Sequence, residues 1–162
     1  MDLYTRFGKN GTKSILVCDD AYDHALLLQV ILEAEGYEVI LANSGEAAIA
    51  QIERENPDLV LLDLMMPGID AMEAVRCMRQ NPRNDGIPVI LVAPSRRDSI
   101  SVECQKLVSG IVHKPIECEE LIAQVEAIFA TPFSLRSQSH SRSFSVVGQR
   151  FKVPVLNREK NA

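Results

Sequence analysis

Four residues in the chain have the types and settings that phosphoryl or metal chemistry uses. Asp19 and Asp20 stand together directly after the apolar run Ser14-Ile-Leu-Val-Cys18. Asp63 follows Asp58-Leu-Val-Leu-Leu62, and Lys114 follows Gly110-Ile-Val-His113. A carboxylate carried on the end of such a run is costly to desolvate unless it is paired or metal-bound. Three acids that meet at one place repel one another unless a cation joins them. Mg2+ is hard and takes a few carboxylate oxygens together with water and phosphate oxygens. A carboxylate can also attack phosphorus, and a neighbouring lysine offsets the charge of the transferring group. Each residue has a plainer use as well. Asp19 and Asp20 can cap the first helix, Asp63 can cap the third, and Lys114 can simply be solvated.

The elements that would bring the four together are legible as alternating patterns. Ser14–Cys18, Glu38–Ala42, Asp58–Leu62, Ile87–Ala93 and Gly110–His113 read as short strands, apolar and rich in β-branched residues. Helical spacing fills the intervals. The first helix covers about 23–35, with Ala25, Leu28, Ile31 and Leu32 on one face and Gly36 at its end. Ser44 is a plausible N-cap for a helix to about Asn56, stopped by Pro57. Further helices are expected over about 70–80, 96–108 (weaker) and 117–130. Five strands alternating with five helices specify an α/β fold with a parallel sheet covered on both faces. In such a sheet, binding residues collect at the carboxyl ends of the strands, which is where Asp19, Asp20, Asp63 and Lys114 stand.

On these residues the chain resembles the receiver domain of bacterial two-component response regulators. The likeness runs over about residues 13–130, through Ile15-Leu-Val-Cys-Asp-Asp20, Leu61-Leu-Asp-Leu-Met-Met-Pro-Gly68 and His113-Lys-Pro115. It implies a flavodoxin-like, doubly wound sheet of order 2-1-3-4-5. It also implies that Asp63 accepts a phosphoryl group from a histidine kinase or phosphotransfer protein. Mg2+ would be held by Asp19, Asp20, Asp63 and the backbone carbonyl of Met65. Lys114 would pair with phosphoryl oxygens, and the Lys114–Pro115 peptide would be cis.

The chain departs from the family at two switch positions. Receivers usually end the fourth strand with Thr or Ser, and this chain has Ala93. Three residues before the lysine they usually have Tyr or Phe, and this chain has Ile111. The interval from Ala93 to Lys114 is about one residue short, so the fourth helix is expected to be abbreviated or irregular. Ser95 is the nearest substitute hydroxyl. A hydrogen bond to a charged group contributes roughly 1.5–3 kcal/mol, so coupling between phosphate and conformation should be damped. Met65, two residues past Asp63, offers an attacking water no oriented polar group, which predicts slow self-dephosphorylation.

Composition bounds the rest. The chain has 162 residues, 46% of them apolar, enough for one sizeable core. Its four cysteines form no CxxC pair and read as reduced thiols of a cytoplasmic protein, and His24, His113 and His140 are not spaced as a zinc site. No membrane span and no secretory signal is expected. The net charge of −5 divides into −10 over residues 1–130 and +5 over 131–162. Residues 1–12 are expected to be a flexible N-terminal segment, 13–130 the receiver domain, and 131–162 a basic, serine-rich, disordered tail. The apolar islands Phe144–Val147 and Phe151–Leu156 are candidates to dock as a strand.

These features support a single-domain response regulator, a monomer or weak dimer, that signals by protein–protein contact and is not an enzyme beyond its own phosphorylation and dephosphorylation. No specific DNA binding is expected, because the tail lacks the periodicity of a helix-turn-helix. A degenerate receiver kept as a docking module is the second reading. A small Mg2+-dependent phosphohydrolase is the third, weakened because Met65 stands where a second acid would serve as general acid–base.

Overall fold

The computed structural model describes residues 11–95 and 100–132, together with the backbone of 145–146 and 149–150. Its elements alternate as β1 (Ser14–Cys18), α1 (Tyr22–Ala34), β2 (Glu38–Ala42), α2 (Gly45–Glu55), β3 (Leu59–Asp63), α3 (Ala71–Gln80), β4 (Val89–Ala93), α4 (Val102–Leu107), β5 (Gly110–His113) and α5 (Cys118–Ala130). The five strands pair in parallel in the order β2-β1-β3-β4-β5. This is the flavodoxin-like α/β fold.

Local chemistry explains the element ends. The Ser44 hydroxyl accepts from the Ala47 N–H at 3.1 Å, and the Asp70 carboxylate accepts from Met72 N–H at 3.2 Å, so α2 and α3 are both side-chain capped. Helix α1 ends with paired bonds from Gly36 N–H to Glu33 and from Tyr37 N–H to Leu32. That closure places Gly36 at φ +88°, a conformation glycine adopts without a Cβ penalty. Because Asp70 caps α3, Asp63 does not.

Both sheet faces are covered, which is why the central strands are apolar without alternation. On one face Leu16, Val60, Leu62 and Leu91 pack under α2, α3 and α4. On the other, Ile15, Val17, Leu61 and Ile90 meet Leu28 and Leu32 of α1 and Leu121 and Val125 of α5.

Three boundaries differ from the sequence reading. Strand β3 runs one residue later at both ends, so Asp63 is its last residue. Strand β4 begins at Val89, because Ile87 and Pro88 belong to the approach. The fourth helix is shorter than 96–108: α4 has six residues, capped by the Ser101 hydroxyl on Cys104 N–H. Arg96 to Ser99 lie outside the described residues. In the tail, Ser145–Val146 pairs antiparallel with Gln149–Arg150 in a two-stranded ladder separate from the five-stranded sheet. The remaining tail, the expected disorder and the segment 1–10 lie outside the described residues.

Arg79 holds the short α4 in place. Its guanidinium donates to the carbonyls of Asp85, Ile87 and Leu107 at 2.8–3.1 Å, tying α3 to the entrance of β4 and the last turn of α4. Arg79→Met strands those carbonyls. It is expected to cost about 2–4 kcal/mol, read from urea unfolding, with amide exchange in 102–107 rising first.

Candidate functional site

The site is built where the strand order reverses, between β1 and β3. Cys18 of β1 is level with Leu62 of β3, so Asp19 and Asp63 emerge side by side from neighbouring strand tips. Across β4, Ala93 is level with His113, and Lys114 leads off the end of β5. Asp19 and Asp63 are each only 2% exposed, whereas Asp20 is exposed. One ligand oxygen from each of Asp19, Asp20 and Asp63 falls within 4.8 Å of the others. Lys114 Nζ reaches back over the tip of β4 to Asp63 Oδ2 at 2.6 Å and stands 3.9 Å from Asp19 Oδ2. The Lys114–Pro115 peptide is cis.

The carboxylates are oriented by backbone. Asp63 Oδ1 accepts from Met65 N–H at 2.9 Å, and Asp19 Oδ1 accepts from Ala21 N–H at 2.8 Å. That leaves Asp19 Oδ2 buried with no hydrogen-bond partner. Burial is the main cause that raises the Asp19 pKa. The Asp63 charge raises it further, while the Ala21 hydrogen bond, Lys114 and His24 oppose it. An orphaned, desolvated carboxylate oxygen facing two other acids suits a hard divalent cation, so the residues present fit Mg2+. The Cys18 thiol beneath them is pushed up to about 12, first by burial and then by the same carboxylates. It stays protonated, which leaves the donor set all-oxygen.

All four sequence-derived site residues are thus brought together. The two altered switch positions are also placed. Ala93 closes β4 with no exposure, and Ile111 is 4% exposed on β5. Both pack in the same apolar cluster as Met72 and Cys104, so apolar contact fills the face where the family resemblance puts a hydroxyl and an aromatic ring. Ser95 follows half-buried, two residues past the strand. Met65 is 65% exposed at the rim. His24, set aside in sequence as a zinc ligand, has Nδ1 3.8 Å from Asp19 Oδ2. Its place in the first turn of α1, directly after Asp19-Asp20, was the available signal. All four cysteines are free thiols.

Comparison with known proteins agrees with this geometry. Residues 15–126 match the family model for the response regulator receiver domain. Over 117 residues the chain is 38% identical to Response regulator PleD of Caulobacter vibrioides, covering 70% of this chain but 25% of PleD. It is 30% identical over 117 residues to Protein PilH of Pseudomonas aeruginosa, covering 72% of this chain and 97% of PilH. Among solved structures, the response regulator protein TrrA of Thermotoga maritima, in complex with Mg2+-BeF, superposes with a TM-score of 0.66. It is 31% identical, with 72% of this chain and 99% of TrrA covered. The chain therefore spans about a quarter of PleD and nearly all of PilH.

Proposed function

The chain belongs to the response regulator receiver domain family, and from that premise we propose that it is a single-domain regulator whose Asp63 accepts a phosphoryl group from a histidine kinase or phosphotransfer protein. Receiver domains serve two-component signalling. The observation that carries the finer reading is the convergence of Asp19, Asp20 and Asp63 within 4.8 Å, with Lys114 Nζ 2.6 Å from Asp63. TrrA, similar in fold and 31% identical, was solved with Mg2+-BeF, which supports the same ligand class for this site.

Asp19, Asp20, Asp63 and the Met65 carbonyl would hold Mg2+. Bound there, the ion supplies charge neutralisation for the transferring group. The chain's own residues do the rest. Met65 N–H and Lys114 Nζ hold the Asp63 carboxylate in one orientation at the end of a rigid strand. A carboxylate oxygen forms a bond to phosphorus as the donor's bond to phosphorus breaks, and the electron pair leaves with the donor. Lys114 is then within reach of the phosphoryl oxygens and offsets their added charge.

The output is protein–protein contact, from a cytoplasmic monomer or weak dimer with no enzymatic turnover beyond its own phosphorylation and dephosphorylation. No helix among the described residues is long and apolar enough to cross a membrane. Incubation with acetyl phosphate and Mg2+, followed by peptide mapping, tests the proposal. One phosphoryl group on the peptide containing Asp63 is the expected result, and an unmodified peptide overturns it.

Ala93 and Ile111 favour a second reading, a docking module whose surface does not respond to phosphate. Apolar packing holds the β4–β5 face, and no hydroxyl at position 93 is available to follow the phosphoryl group. The acetyl phosphate experiment separates the two readings: a phosphorylated Asp63 peptide supports the regulator, and an unmodified one favours the module.

Met65 makes a separate prediction. Its exposed thioether cannot orient a water, so the phosphorylated chain should lose its phosphoryl group slowly. Met65→Asn should shorten the half-life by about tenfold, below the roughly 100-fold at which the contribution of a full general acid–base begins, as measured by phosphate release.

A further inference from the structure

Helix α1 is apolar on two opposite sides. Ala25, Leu28 and Leu32 face the core at 4% exposure or less. On the outward side, Tyr22 is 71% exposed, Leu26 40%, Leu27 57% and Val30 58%. These four fall within two and a half turns, so they form one patch rather than scattered residues. A helix that is apolar on two opposite sides is ordinarily covered on both.

The surroundings of the patch state the chemistry of its cover. Asp23 and Glu33 interleave with it, and from Ser14 to Glu53 the chain has eight acids and no lysine or arginine. A matching surface must therefore be apolar and cationic together. The chain carries one such segment. Between residues 142 and 156, Arg142, Arg150 and Lys152 alternate with Phe144, Phe151 and Val153, and the segment contains no acid. The intramolecular path is short. Phe129, in the last turn of α5, packs against Tyr37 in a tilted ring contact with centroids 5.4 Å apart, and Tyr37 lies three residues past the end of α1. The tail therefore leaves the body at the C-terminal end of α1. Residues 131–141 reach up to about 36 Å when extended, whereas α1 is about 20 Å long.

We propose that the outward apolar face of α1 is the docking site for the chain's own segment 142–156. Tethering makes the contact intramolecular, so modest pairwise attraction suffices. The carboxylates of Asp23 and Glu33 guide the basic residues, and the leucines and Val30 take the apolar ones. A segment docked there borders the rim that holds Asp19 and Asp63, so it competes with any protein that approaches Asp63 along α1. The contact needs no phosphoryl group, so its test stands apart from the phosphorylation of Asp63.

Methyl-labelled NMR decides it, comparing the full chain with a chain ending at Pro132, which retains every strand and helix of the described core. The methyl signals of Leu26, Leu27 and Val30 are expected to differ between the two. The difference should collapse when Arg142, Arg150 and Lys152 are changed to Glu, and should shrink as salt screens the pairs. Identical spectra overturn the proposal. So do shifts that grow with protein concentration, since a second copy is then the occupant, and so do differences confined to methyls outside α1.

Discussion

Asp63→Asn is expected to gain no phosphoryl group from acetyl phosphate and Mg2+ under conditions that modify the parent chain fully. An amide oxygen is not a nucleophile toward phosphorus at neutral pH, and neither neighbouring acid is placed to substitute for it. Asp19 is buried beside the first helix with one oxygen bound to Ala21 N–H, and Asp20 is exposed to water at the rim. The fold should survive. The Asn side-chain oxygen can still accept from Met65 N–H, and Lys114 retains Asp19 as a partner at 3.9 Å. Intact-mass spectrometry reads the loss, and far-UV circular dichroism confirms the fold. A modified Asp63→Asn chain places the acceptor elsewhere and removes the central assignment.

Adding Mg2+ is expected to invert the stability order of the parent chain and Asp19→Asn. Without a divalent ion, the parent buries an Asp19 oxygen that nothing bonds. Burial, the largest cause, raises its pKa in the folded state. A folded pKa above the unfolded value of 3.8 means the folded chain binds the proton more tightly. This contribution to stability is therefore present in full below 3.8 and is lost as pH rises through the raised folded pKa. Asp19→Asn removes that slope and should melt higher at neutral pH without metal. Mg2+ at a hundredfold excess over its Kd adds about 2.7 kcal/mol to a chain that binds it, or roughly 10 °C in a domain of this size. The variant should gain almost none. Paired thermal melts with and without Mg2+ check it, and equal gains in both chains rule Asp19 out as a ligand.

The elements were legible because their signals are local. Ser44, Gly36 and Pro57 punctuate the chain wherever they occur, and the unbroken apolar run Leu59 to Leu62 requires burial on both sides. The shortfall of residues between Ala93 and Lys114 likewise foretold a reduced fourth helix, and α4 has six residues. The boundary of β3 was missed by one residue because Asp63 reads as a terminator by composition, although its backbone continues the ladder to Val92. Arg79 was not singled out, since a guanidinium that bonds only carbonyls leaves no partner pattern in sequence. The outward patch on α1 was missed for a related reason. A helix apolar on two opposite sides has no single preferred face, so spacing pointed to the buried residues without marking Tyr22, Leu26, Leu27 and Val30 as exposed.

By itself, the sequence determined the order of strands and helices, the residue types at each strand tip, and the two positions where the usual switch groups are replaced. Propensity, capping and apolar runs act over a few residues and survive without a fold. Only the tertiary structure decided that Asp19, Asp20 and Asp63 share one rim, that Lys114 crosses β4 to reach them, and that one Asp19 oxygen is left without a hydrogen-bond partner. Those facts depend on strand register and on the loss of water between groups 43 to 95 positions apart, which no local pattern encodes.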